Sequence, residues 1–450
     1  MRRVCHNSKI NICTGHIGCQ SGCTDNKWFI GYIFSNLAAG LTTPLIPLFI
    51  VFYLKSNVEY VGLVSAISSL AAVPALVLWG NLSDRIKRRK IFIIIGFMGS
   101  FLSLLLVLFV HDMPSYISML IMFQILAMAS VPVSTLLILE NSEQTAWPKI
   151  MGKFNSYSAV GTVIGLGVGV LILTLFSGMG YMLIPYLYVI AAWFYLVAGV
   201  ISIIVLKEPK MKIKREKIGY LFALHIIERV RYFPTHLIHI PGKEKKIKIP
   251  YHLRLYLITT LILMMGFQLF FIPYPVFVIK RMNASENDVY IMYLLNSLFS
   301  AATFIPAGKY INYMGSNRML SISTSIRVVL FLSMGIISFF VFDTVGYLLF
   351  FILMYGIFGG IWSFIGISEV TSISNMAAQT IRGKVIGYYN SLNGVGQIIG
   401  AGLSGFIAYD ISYSFDFILS AVIVLAGLMI IIYSKPPDIQ YSRKTIKAQS

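Results

Sequence analysis

Charge is what this chain has least of. Of 450 residues, only 12% are Asp, Glu, Lys or Arg, against 57% hydrophobic, and the mean hydropathy is +0.79. A soluble globular domain carries about twice that charged fraction, roughly 25%. So few polar groups cannot cover a soluble surface, and the same shortage excludes intrinsic disorder. Cysteine is absent after Cys23: all four (Cys5, Cys13, Cys19, Cys23) fall at the start, beside His6 and His16. Cys13-x-x-His16-x-x-Cys19-x-x-x-Cys23 offers zinc-type ligands but no paired Cys-x-x-Cys knuckle, so no metal is expected there. No Gly-x-x-x-x-Gly-Lys-Ser/Thr phosphate loop occurs, which argues against ATP as the energy source. The first 27 residues have no apolar h-region, so no cleavable signal peptide is read.

Long apolar runs fill the space that charge leaves. A helix crosses the hydrocarbon core in about 20 residues. Twelve segments qualify: 28–53, 60–82, 91–110, 114–139, 154–176, 181–206, 255–279, 289–311, 319–342, 346–368, 388–410 and 413–433. The weak ten-residue alternation of a membrane β-barrel is not seen. The spans contain no histidine and no His-x-x-x-Asp or Glu-x-x-His pair, so a membrane enzyme is disfavoured and no cofactor is expected. The fold class is therefore an all-α polytopic membrane protein.

The distribution of charge predicts orientation. With residue 1 inside, the inside segments sum to +22 and the outside loops, Asp410 and Asp416 among them, to −4, with Arg327 inside a span. Lys and Arg favour cytoplasmic loops, so both termini are expected in the cytoplasm, and in the plasma membrane if the source is prokaryotic. The net charge of +19 then reflects topology rather than a nucleic-acid surface.

Residues 207–254 form the longest polar stretch and divide the chain into a tail (1–27), a six-span half (28–206), a basic central loop, a second half (255–433) and a tail (434–450). Within that loop, 218–233 reads as an interfacial helix flanked by basic clusters. The halves match internally. Gly80-Asn-Leu-Ser-Asp84 follows span two and Gly308-Lys-Tyr-Ile-Asn312 follows span eight, 228 residues on, and Pro47 and Pro275 share that offset. Asn155-Ser156 with Gly161, Gly165 and Gly167 is repeated by Asn390-Ser391 with Gly396, Gly400 and Gly402, 235 residues on. A duplicated six-helix unit in parallel orientation accounts for this.

Gly80-Asn-Leu-Ser-Asp84-Arg85-Ile-Lys-Arg88-Arg89 resembles the Gly-x-x-x-Asp-Arg-x-Gly-Arg-Arg loop of the major facilitator superfamily, with Lys87 where that family has Gly. Arg382-Gly383-Lys384-x-x-Gly387 before span eleven is a further match. The resemblance implies two pseudo-symmetric six-helix bundles and secondary transport by alternating access. It further implies that Gly80, Asp84, Arg85, Arg88, Gly308 and Asn312 serve gating, with Asp84 facing the helix N-terminus of span eleven, where partial positive charge favours an acid. Asp84 and Arg88, four apart, are expected to pair on one helical face.

Gly161, Gly165, Gly169, Gly396 and Gly400 recur every four residues and suit tight helix packing. They partly resemble the family's span-five antiporter motif, with Leu166 where Pro belongs, and that resemblance implies antiport. Buried ionisable groups are few. Arg327 lies deep in span nine, with Glu369 and Glu140 at the ends of spans ten and four. A carboxylate so placed can bind and release a proton, so Glu369, with Arg327 as nearby partner, is the leading proton-coupling candidate. The alternative is a static ion pair. The resemblance implies a cavity between spans one, four, seven and ten, where Asn36, Gln124, Gln268, Tyr355 and Trp362 are the candidate substrate residues, with Tyr355 and Trp362 on one face. Leu120 is followed by Gln124, not by the Arg common in drug–proton antiporters. The expected partners are a small-molecule substrate, a proton or other coupling ion and the lipid bilayer. A monomer is expected. Export of hydrophobic or amphipathic compounds is the first reading, and uptake of a sugar, organic acid or peptide the second. A receptor that keeps the fold without transport is a third.

Overall fold

The structure is a computed structural model that describes residues 28–86, 88–140, 147–206, 250–340, 345–377 and 382–434. The cysteine-rich segment, the 218–233 segment and the C-terminal tail lie outside these residues, as do the side chains of Asp84, Arg85 and Glu140. Among the described residues the chain is helical without strands. The helices are α1 (Phe29–Tyr53), α2 (Val58–Ile86), α3 (Arg89–Phe109), α4 (Met113–Ala127, resumed as Ser130–Glu140), α5 (Trp147–Leu175), α6 (Leu183–Val205), α7 (Tyr251–Met282), α8 (Glu286–Met314), α9 (Ser316–Ile337), α10 (Val345–Met376), α11 (Arg382–Asp410) and α12 (Tyr413–Ser434). Among the described residues eleven spans are long and apolar enough to cross a membrane. The other helix, α11, has the length, at 29 residues, but carries Asn390, Ser391, Asn393, Gln397 and Ser404, all buried in the protein.

Interruptions follow the prolines. In α1 the helix stops at Thr42, restarts at Leu45 after Pro44 and ends in a π-helical turn, Phe49–Tyr53. In α7 it stops at Phe271 and restarts at Tyr274 after Pro273. The break at Met128–Ala129 in α4 lies four residues before Pro132, which has no N–H for the Met128 carbonyl. Breaks at matching places in α1 and α7 extend the sequence repeat to backbone geometry.

Packing repeats as well. In the first half α1 packs on α5 and α6, α3 on α4 and α6, and α2 on α4; the second half repeats this as α7 on α11 and α12, α9 on α10 and α12, and α8 on α10. Lipid tails supply no hydrophobic drive between helices, so small residues that let backbones meet decide these contacts. A methyl added at Gly161 or Gly165 would overlap the carbonyls of Ile33 or Leu37 in α1. At Gly396 and Gly400 it would overlap those of Leu261 and Met265 in α7, again 228 residues on. Gly169 is different: its face receives the ring of Tyr290 from α8, so it serves contact between the halves.

The halves meet through α2 with α11 and α5 with α8. The named contacts sit at the end of the bundle away from the basic 86–90 turn. Gly62 packs on the backbone of Ala401 and Gly405, and Gly405 on that of Glu59. Asn287 donates to Thr174 at 3.1 Å and Lys280 to Asn57 at 3.1 Å. The Tyr290 hydroxyl crosses to donate to the Leu41 carbonyl at 2.6 Å. At the basic end, Gly80 and Gly308 have no atom within 4 Å of where a Cβ would stand.

Candidate functional site

Polar and aromatic side chains of α1, α3, α4 and α6 line a recess of about 510 Å³, part of it open to solvent, in the first half. Asn36 and Gln124 face it with Tyr32, Ser35, Ser100 and Ser130, and every lining side chain is neutral. Asn36 donates to the Tyr32 carbonyl at 2.7 Å, while the Tyr32 hydroxyl donates to the Ser130 carbonyl at 3.2 Å. In the second half Gln268 is half-buried, set where α7 passes Gly400 of α11. Among the described residues the side-chain amides of Gln124 and Gln268 have no protein partner, so each half presents one free amide.

The structure sets Tyr355 and Trp362 of α10 in different surroundings. Tyr355 is buried among Phe271, Tyr274 and Tyr293, with ring centroids 5.7, 5.2 and 5.4 Å away. Trp362 is half-buried with Arg327 5.4 Å from its ring, so the cation over this indole belongs to the protein itself. Phe267, Phe271 and Phe331 complete the aromatic cage around Arg327, at 4.4, 5.2 and 5.9 Å.

Arg327 and Glu369 are both 1% exposed, yet they form no ion pair. The Arg327 Nη2 donates to the Phe358 carbonyl at 3.1 Å, and its Nε and Nη1 have no partner. The static-pair reading is therefore corrected. Arg327 sits level with Phe358 and Trp362, and Glu369 lies about two turns beyond Trp362, at roughly 1.5 Å per residue. Arg327 acts on the carboxylate only through space. Glu369 Oε2 accepts from the Tyr389 hydroxyl at 3.0 Å, and Oε1 has no partner. Glu140 closes α4, but its side chain lies outside the described residues.

The 80–90 turn also departs from expectation. The helix ends at Ile86, and Arg88 is extended (φ −114°, ψ 95°) and exposed as the N-cap of α3. Asp84 and Arg88 thus do not share a continuous helical face, because the helix they would share stops between them. Arg89 turns inward instead, and its Nη1 donates to Ser83 Oγ at 2.7 Å. The side chains of Asp84 and Arg85 lie outside the described residues. Gly308 is half-buried and Asn312 exposed in the last turns of α8, which ends at Gly315 with φ +89°, a conformation that suits glycine.

The sequence reading missed Asp416, which it counted with an outside loop. The residue lies one turn inside α12, 0% exposed, and neither carboxyl oxygen has a hydrogen-bond partner. It also missed Tyr389, whose signal was the weak apolarity of span eleven.

A family model described as the Major Facilitator Superfamily matches residues 28–370. The chain belongs to the Major Facilitator Superfamily. It is accordingly a membrane transporter and not an enzyme. No curated protein sequence matches it. Solved structures share its fold. The nucleoside transporter NupG superposes with a TM-score of 0.70 at 13% identity, over 92% of this chain and 99% of that one. A POT family transporter in complex with a thioalcohol-conjugated peptide gives 0.68 at 11%, over 91% and 96%. The human organic anion transporter MFSD10 (TETRAN) gives 0.57 at 15%, over 90% and 98%. Identities this low carry the Major Facilitator Superfamily fold and leave the substrate to be argued from the site.

Proposed function

We propose that this protein is a proton-coupled secondary transporter that moves neutral, ring-bearing amphipathic molecules by alternating access, with export as its direction and Glu369 as its proton carrier. The observation that carries the reading is Glu369 itself: a carboxylate 1% exposed, held by one hydroxyl, with one oxygen unpartnered and no ion pair. A permanently charged carboxylate in such a place is costly, so a group that takes up and gives back a proton suits it. Neutral polar and aromatic lining suits an uncharged ring with hydrogen-bonding groups, and the free amides of Gln124 and Gln268 offer one contact from each half. With both termini in the cytoplasm, as the Lys and Arg distribution favours, the contacts of Gly62, Gly405 and Tyr290 close the outer end, an inward-facing state. The two six-helix units, 28–206 and 255–433, would rock about this site as a monomer, with the 80–90 turn gating the inner end.

Uptake of a neutral polar compound is the second reading. The serines and amides of the first-half recess favour it, as does the fold shared with a nucleoside transporter.

The test is the full-length protein in liposomes with a pH-sensitive dye inside, challenged with amphipathic ring compounds, nucleosides, sugars, organic acids and peptides. Proton movement triggered by one class and abolished in Glu369→Gln supports the reading, and its sign gives the direction. Proton movement that survives the substitution removes Glu369 as carrier. Radiolabel flux without proton movement makes the protein a uniporter.

A further inference from the structure

The repeated fold supplies an internal control for the surroundings of Glu369. In the first half Trp28 of α1 and Phe154 of α5 pack ring on ring, with centroids 5.8 Å apart. The residues at the same offsets, 228 and 235 on, are Tyr256 of α7 and Tyr389 of α11. Two rings without a hydroxyl in one half are two hydroxyl-bearing rings in the other, and both hydroxyl-bearing rings stand beside Glu369. Packing alone needs neither hydroxyl, since the first half does without them.

The polarity continues along α11. Asn393, one turn above Tyr389, stands on the same face of α11, and Gln397 Nε2 donates to Asn393 Oδ1 at 2.6 Å. Asn393 and Gln397 are 6% and 7% exposed, so these are buried contacts rather than surface ones. One turn further, Gly400 brings α11 against Gln268. The corresponding first-half residues, Ser158 and Thr162, form no such chain. Thr162 bonds back to its own helix at the Ser158 carbonyl, at 3.2 Å, and Ser158 Oγ is unpartnered.

We propose that Tyr389, Asn393 and Gln397 are positioning residues: a ladder of polar side chains along α11 that carries the protonation state of Glu369 toward the contact of Gly400 with Gln268 on α7. The inference rests on the reading of Glu369 as proton carrier. With Glu369 charged, the Tyr389 hydroxyl donates to Oε2. When a proton binds the carboxyl, the O–H bond forms on Glu369 and donates to the Tyr389 oxygen, and the Tyr389 hydroxyl turns its own hydrogen toward Asn393. Asn393 then changes its bond with Gln397. No proton passes through the amides; only hydrogen bonds reorient. The ionisable groups facing Glu369 are Tyr256 from α7, Arg327 from α9 and Tyr389 from α11. The ladder runs from the end of the bundle nearest residue 382 toward mid-membrane, the route a coupling signal has to cover.

Infrared difference spectra of the full-length protein in liposomes, recorded between acid and neutral pH, test this without a transported ligand. Glu369→Gln is expected to remove one protonated-carboxyl band. Tyr389→Phe is expected to move that band to higher wavenumber, as loss of a hydrogen bond does, and Asn393→Leu to move it by a smaller step. Tyr256→Phe controls for general disturbance of the pocket. If the band is lost in Glu369→Gln but stands still in Asn393→Leu, the ladder is overturned while the proton carrier stands. If Glu369→Gln removes no band, the carrier itself is overturned. Should Asn393→Leu fail to fold, Gln397→Met reads the same link one turn further on, and an unmoved band there overturns the ladder equally.

Discussion

Arg327 shows how a lone buried cation is kept in a membrane helix. One carbonyl accepts from it and four aromatic rings surround it, so the charge is offset by ring quadrupoles rather than by an acid. Replacing it by an apolar side chain of similar size removes a desolvated charge without leaving an opposite one exposed. Arg327→Met is therefore expected to melt no lower than wild type in detergent, while Arg327→Ala opens a cavity and loses about 2–4 kcal/mol. If Arg327→Met melts far below wild type, the cage is not the whole of its support. Asp416 gives the complementary case. Neither carboxyl oxygen has a donor to lose, so Asp416→Asn should leave the melting temperature unchanged; a clear fall would show a partner that the fold does not. The sequence made Arg327 and Glu369 legible because an ionic letter in an apolar run stands out. Asp416 was not legible, because four residues from a predicted loop a carboxylate reads as solvated. The distance between Arg327 and Glu369 was not legible either, since it depends on how α9 and α10 slide past each other.

At the scale of elements, eleven of the twelve spans read from apolar length meet that test in the structure, and the α1 and α7 breaks follow their prolines. Span eleven shows the limit of hydropathy: its polar letters face other helices, so the helix is less apolar than its neighbours and still buried at those positions. The glycine pattern was readable as packing, but its partners needed the fold. Gly165→Ala and Gly400→Ala each drive a methyl into a carbonyl of α1 or α7, and about 1–3 kcal/mol of destabilisation is expected, read as a lowered melting temperature. Gly167→Ala, where no atom lies within 4 Å, is the control and should be silent. Helix α4 has a pH-sensitive start. Asp112 caps it in a capping box with Ser115, and hydrogen bonds from the Ser115 side chain, then from its backbone N–H, hold the Asp112 carboxyl below the usual carboxylate range. A depressed carboxyl stabilises the folded form above its unfolded value, about 3.9, and that contribution fades as pH falls through the lower folded value. Amide exchange over 113–116, corrected for intrinsic rate, should rise at acid pH in wild type. In Asp112→Asn, which keeps an accepting oxygen at every pH, it should not.

For the whole molecule, the question is which end opens. Every named contact between the halves lies at the end away from the basic turn: Gly62 with Gly405, Gly169 with Tyr290, Asn287 with Thr174 and Lys280 with Asn57. The two glycines of the repeated turn, Gly80 and Gly308, stand in open space. On the alternating-access proposal these are the marks of one state, and the other state must reverse them. Glycine at 80 and 308 then has its use in the conformation in which the basic ends meet, where backbones can approach only if no Cβ intervenes. Gly80→Leu should accordingly leave this state as stable as before and deny the other. In a background with the four native cysteines replaced, Thr174→Cys with Asn287→Cys places two sulfurs where a 3.1 Å hydrogen bond now joins α5 to α8. A disulfide there is expected to form readily and to stop flux, and reduction to restore it. A thiol reagent should meanwhile still reach Asn36→Cys from the basic end in the locked protein. Gly80→Leu should reproduce that labelling without any cross-link, because it blocks the same transition from the opposite end. If Gly80→Leu instead transports normally, the turn is a topology anchor, and the rocking of the halves is controlled at the closed end alone.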